Sequence, residues 1–182
     1  SIKSAPQTIE KINAMLDKAY SIRGSLIQNS KDIAKEALLL SREVDDKASI
    51  SRALSILSLC LMITGEYEES MTCAEEAINI YEEIGHEKGI ADAKYNIAGI
   101  YYKTDNPNIG LIFLKECLET YQQIDDFHNI SKVYKSIGTI FEYFDECGFI
   151  IIFNFFIYLG ISYLAVFVGN PLDYYLIKLN FV

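Results

Sequence analysis

Residues 75–106 read EEAINIYEEIGHEKGIADAKYNIAGIYYKTDN, and residues 115–146 read KECLETYQQIDDFHNISKVYKSIGTIFEYFDE. Laid over each other at a step of forty, Ala77 falls on Cys117, Ile78 on Leu118, Ile84 on Ile124 and Ile90 on Ile130. Further along, Ile97 falls on Ile137, Ala98 on Gly138 and Tyr101 on Phe141. Stepping back by forty meets Ala37, Leu38, Val44, Ile50, Leu57, Ser58 and Leu61, and Ala34 leads through Ala74 to Leu114. A register that survives three cycles without a gap is an internal repeat.

Each unit is helical by its apolar spacing. Ile50, Leu54, Leu57 and Leu61 recur at three to four residues, as do Met71, Ala74, Ile78 and Tyr81. Glu75, Glu76, Glu82 and Glu83 fall on the opposite side of the latter stretch, which makes it an amphipathic surface helix. Asn29-Ser30, Asp45-Asp46, Gly65-Glu66, Gly85, the run 104–107 and Asp125-Asp126 supply the breaks. Pro107 suits a first helical position, where its missing donor goes unused. The pattern predicts helices over 8–27, 31–44, 49–64, 67–84, 89–103, 108–124 and 129–144, arranged as antiparallel pairs. No pair can bury its stripe alone, so stability must come from stacking. Small residues at Ala74, Ala77, Ala98, Gly99 and Gly138 mark close helix approaches.

These residues resemble the tetratricopeptide repeat. Its first-helix signature is matched by Tyr134, Ile137-Gly138 and Phe141, then by Lys94, Ile97-Ala98 and Tyr101, and more loosely by Leu54, Leu57-Ser58 and Leu61. Gly65, Tyr67, Ser70, Ala74 and Ala77 follow its turn and second helix. Pro107 departs from it, standing where the family has an aromatic, and residues 11–27 match poorly, as a capping unit would. The forty-residue period is similar to the longer-helix variety in kinesin light chains and in sensor modules of bacterial signalling proteins. The resemblance covers residues 8–146 and implies an all-α, right-handed solenoid with units at about 11–50, 51–90 and 91–130 and a half unit at 131–146. It also implies a concave peptide groove lined by Arg52, Ser55, Leu59, Met62, Asp92, Tyr95, Tyr102, Lys103, Lys132, Lys135 and Tyr143. Asn96 stands where related arrays hold a ligand's backbone with an amide, a group that both donates and accepts. The implied partner is a protein or peptide, and the implied setting a bacterial signalling protein.

Composition narrows the function classes. Of the 182 residues 51% are apolar and 23% charged, and the net charge is -9, which excludes a nucleic-acid backbone as the main partner. Cys60, Cys73, Cys117 and Cys147 form no paired motif, and His86 and His128 lie far apart, so neither a disulfide framework nor a zinc site is indicated. There is no phosphate-binding glycine loop, no nucleophile elbow and no metalloprotease motif, so the expectation is a non-enzyme without cofactor or metal. Lys11, Asp17, Lys18 and Arg23 interrupt every candidate signal core near the start. With unpaired cysteines, this favours a reducing, cytoplasmic setting for the repeats.

The remainder, 147–182, is a different material. Its only charges are Asp173 and Lys178, and 147–172 contains 26 uncharged residues in succession. Three readings stand: a transmembrane helix anchoring cytoplasmic repeats, since about 20 apolar residues suffice; a tail that is not the natural continuation; or a segment packed on the last repeat or on a second copy. Self-association is open in the same way.

Overall fold

The computed structural model describes residues 5–144. They form seven helices: α1 (Ala5–Ile22), α2 (Ile27–Glu43), α3 (Lys47–Thr64), α4 (Tyr67–Glu83), α5 (Glu87–Lys103), α6 (Pro107–Gln123) and α7 (Phe127–Phe144). There is no strand among the described residues. The chain divides into two compact units, with α1–α6 in the first, up to Ile130, and α7 beyond that residue in the second.

From α2 onward the fold has a twenty-residue rhythm finer than the forty-residue repeat. Asp45, Gly65, Gly85, Asp105 and Asp125 all have positive φ, between 53° and 87°. After each, the next backbone N–H reaches back to close a Schellman turn: Asp46 to Ser41, Glu66 to Leu61, His86 to Tyr81, Asn106 to Tyr101 and Asp126 to Tyr121, at 2.8–3.1 Å. Helices α2 to α6 therefore end by the same device, although only two of the five left-handed positions are glycine. Aspartate is among the few other side chains that visit this region.

Helix starts restore the forty-residue period. The residues before α3, α5 and α7 cap them with side chains: Asp46 accepts from Ser49 N–H at 3.2 Å, His86 Nδ1 from Gly89 N–H at 2.8 Å, and Asp126 from Asn129 N–H at 3.1 Å. Leu26, Glu66 and Asn106, before α2, α4 and α6, make no such bond. Pro107 is the first residue of α6, as expected.

The two helices of each pair cross where side chains are smallest. Ser30 donates to Ala19 O and Ser70 to Ser58 O, both at 2.7 Å. At the equivalent place in α6 stands Gly110, where a Cβ would lie 2.9 Å from Ala98 O. The core continues along Ala34, Ala37, Leu54, Leu61, Ala74, Ala77, Ala98, Leu114 and Leu118, all buried. Each helix from α1 to α5 packs on the next, and α3 also packs on α1 and α5, whereas α2, α4 and α6 barely meet one another. That is a stepping array of helix pairs, a helical solenoid, rather than a bundle around one centre. α1 closes its start by burying Ile12, Leu16 and Ala19 while exposing Lys11, Asn13, Asp17 and Lys18. Within α7, Val133, Ile137, Ile140 and Phe141 are buried.

One expected boundary is corrected. The predicted break at Asn29-Ser30 lies inside α2, and the chain turns at 23–26 instead. Ser30 is buried because its hydroxyl seals the crossing with α1. A residue type that often breaks helices is here the small polar contact between two of them. Stepping back forty from Tyr67 gives Ile27, the observed start of α2.

Candidate interaction surface

Several candidate residues on α3 and α5 lie where these two helices meet. Met62 packs on Gly99, whose added Cβ would be 2.5 Å from Met62 Sδ. Leu59, Met62, Tyr95 and Tyr102 are partly exposed and Lys103 is exposed, with its ammonium 5.9 Å from the Tyr102 ring. Ile63, beside Met62, is also exposed.

Other candidates are committed to the fold. Asn96 is only 7% exposed, and its Nδ2 donates to Ser55 O at 3.0 Å, tying α5 to α3. The amide that the family resemblance assigns to a ligand backbone here holds a backbone carbonyl of the array itself. Ser55 Oγ lies 3.5 Å from the hydroxyl of Tyr81, so the same junction reaches α4. Arg52 pairs with Asp17 of α1. Asp92 accepts from Tyr121 OH at 2.7 Å and faces Lys88 at 3.9 Å, while Lys88 also pairs with Asp126. Burial, followed by the Asp92 charge and hydrogen bond, pushes the Tyr121 phenol far up. The hydrogen bond from Lys88, helped by the Asn129 amides, holds Asp126 down to about 2.

Lys132 and Lys135 belong to the second unit; Lys135 is exposed, and its carbonyl accepts from Thr139 Oγ1 at 3.1 Å. Tyr143 lies in the last turn of α7. The reading of 147–172 as a membrane segment falls outside the described residues. Among those described, α3 alone is long and apolar enough to cross a bilayer, and 56% of it is buried inside the protein.

Among the described residues no group of His, Cys, Asp and Glu is arranged to hold a metal ion. Cys60 and Cys117 are fully buried; the Cys60 sulfur lies 3.2 Å from Ser30 Oγ, and burial pushes the Cys117 thiol up to about 12. Thiols so placed pack rather than react.

A set of ion pairs between neighbouring units went unread in the sequence. Lys31, 7% exposed, holds Glu66 at 2.5 Å, Arg42 reaches Glu76 at 2.7 Å, and Lys47 reaches Glu83 at 2.6 Å. Arg52 with Asp17 and Lys88 with Asp126 are two more. Their partners stand 34 to 38 residues apart, so opposite charges nearly one unit apart were the available signal.

No protein-family model and no curated protein matches the sequence. Solved structures share the architecture. One, described as the crystal structure of BtubC (BKLC) from P. vanneervenii, aligns over 79% of this chain and 68% of that one, with a TM-score of 0.57 and 17% identity. At that identity the likeness is one of fold. The chain is a helical-repeat protein.

Proposed function

We propose that this is a tetratricopeptide-type scaffold that receives a peptide or helix of another protein on its α3–α5 face and performs no reaction itself. The observation that carries the reading is the direct packing of α3 on α5, with Leu59, Met62, Tyr95 and Tyr102 left partly exposed along it. Capped helix starts, Schellman turns and ion pairs between units hold that face before any partner arrives. A preformed surface loses little conformational freedom on binding, and aromatic side chains are favoured anchors. The forty-residue unit and its resemblance to sensor modules support a place in a bacterial signalling protein, with the repeats in the cytoplasm.

Capture of partners by the immobilised full chain, read by mass spectrometry, tests this against Leu59→Lys and Tyr102→Ala. We expect the specific partner to be lost from both variants while their melting temperatures stay within a few degrees of the parent. Full capture by both variants overturns the assignment. Asn96→Ala is a poor probe, because its amide holds α5 to α3.

A membrane-anchored form of the same scaffold is favoured by one observation, the 26 uncharged residues of 147–172. Fractionation decides it: a chain that stays in the supernatant without detergent is not anchored.

A further inference from the structure

The three capped odd-numbered helices differ in one chemical respect. Asp46 and Asp126 cap α3 and α7 with carboxylates, whereas α5 is capped by the imidazole of His86. His86 Nδ1 accepts the Gly89 N–H at 2.8 Å, which requires a free lone pair on that nitrogen. Histidine is the side chain that ordinarily changes charge between pH 5 and 8.

The cap is built into its surroundings. The Tyr81 ring lies against the His86 ring, with centroids 5.2 Å apart and planes inclined by 31°. The same ring occupies the space beside Gly89, where a Cβ would stand 2.5 Å from its carbons. Tyr81, His86 and Gly89 thus close the turn joining the hairpin α3–α4 to the hairpin α5–α6. The Tyr81 hydroxyl reaches Ser55 of α3, whose carbonyl receives the Asn96 amide.

We propose that His86 is an acid-released latch on the α4–α5 turn, loosening the joint between these two hairpins when its Nδ1 takes a proton. Protonation converts the acceptor into a donor facing a donor, and it sets a positive charge at the positive end of α5. Charged groups near the turn include Glu83 of α4 and Lys47 of α3, Glu87 and Lys88 of α5, Asp126 after α6, and Asp92 and Arg52, which act on Tyr81. Lys47 is engaged by Glu83, and Lys88 by Asp126.

Amide NMR on the full chain tests this, following Gly89 against Ser49 and Asn129 between pH 7.5 and 5.5, with exchange rates corrected for intrinsic pH dependence. Protection at Gly89 should fall about five-fold, the usual worth of a cap, while Ser49 and Asn129 hold theirs. His86→Asp should remove the pH response, and His86→Ala should show the low-pH behaviour at both values. His86→Asn, a capping side chain that does not titrate, repeats the control if the aspartate perturbs the acidic turn. Gly89 protection that tracks Ser49 and Asn129, or a response that survives in both capping variants, overturns the proposal.

Discussion

The hairpins α3–α4 and α5–α6 are forty residues apart, begin and end in register, and hold together differently. The first crosses on hydroxyls: Ser70 donates to Ser58 O at 2.7 Å, and the two Oγ atoms lie 3.2 Å apart. The second crosses on bare backbone at Gly110 and fills the space further along with Leu114 and Cys117, where α4 has Ala74 and Ala77. A shared period therefore prescribes where helices meet but not the chemistry of the meeting. Each hairpin is a separate solution with its own compensations.

If so, residues transplanted between equivalent places should fail. The largest effect is expected for Leu114→Ala, which installs the residue found at 34 and 74. Its neighbours are fitted to leucine, so the cavity should cost about 3 kcal/mol in urea unfolding. A loss below about 1 kcal/mol would mean the two hairpins share one packing after all. Next comes Gly110→Ala, whose methyl would meet the Ala98 carbonyl at 2.9 Å and should cost about 2 kcal/mol. Ser70→Ala, which leaves the backbone approach intact and removes one buried donor, should cost about 1 kcal/mol.

The smallest effect is electrostatic and confined to acid. Lys88 holds Asp126 down to about 2, below the ordinary value of 3.8. A carboxylate depressed in the folded state adds stability above its ordinary range and loses it as pH falls through 4 towards 2. With solvent screening at this turn, that contribution is under about 1 kcal/mol. Asp126→Asn should therefore flatten the acid limb of melting temperature against pH in that window. An unchanged limb would show that the Lys88–Asp126 pair contributes nothing.

Helix content and repeat length were legible because both are properties of short range. A 3.6-residue stripe and a left-handed turn residue reveal themselves within one helix and its ends, so Gly65, Gly85 and Asp125 could be read directly as stops. Ser30 misled because serine is common both at turns and at close helix crossings, and only its neighbour across the hairpin distinguishes them. The family resemblance places Asn96 on a ligand-facing edge; only the packing of α5 on α3 reveals that its Nδ2 donates to Ser55 O. The cap at His86 carries no signature in the sequence, since its acceptor role depends on the backbone direction three residues later.

The amino-acid order alone dictated an all-helical chain built in forty-residue units, because hydrophobic spacing and chain breakers act locally and recur wherever the sequence recurs. Tertiary structure decided which charges pair one unit away, which small residues carry a crossing, and which side chains stay partly exposed along α3 and α5. Those outcomes depend on the angle and offset between successive hairpins, and that geometry is settled jointly by all the side chains packed between them.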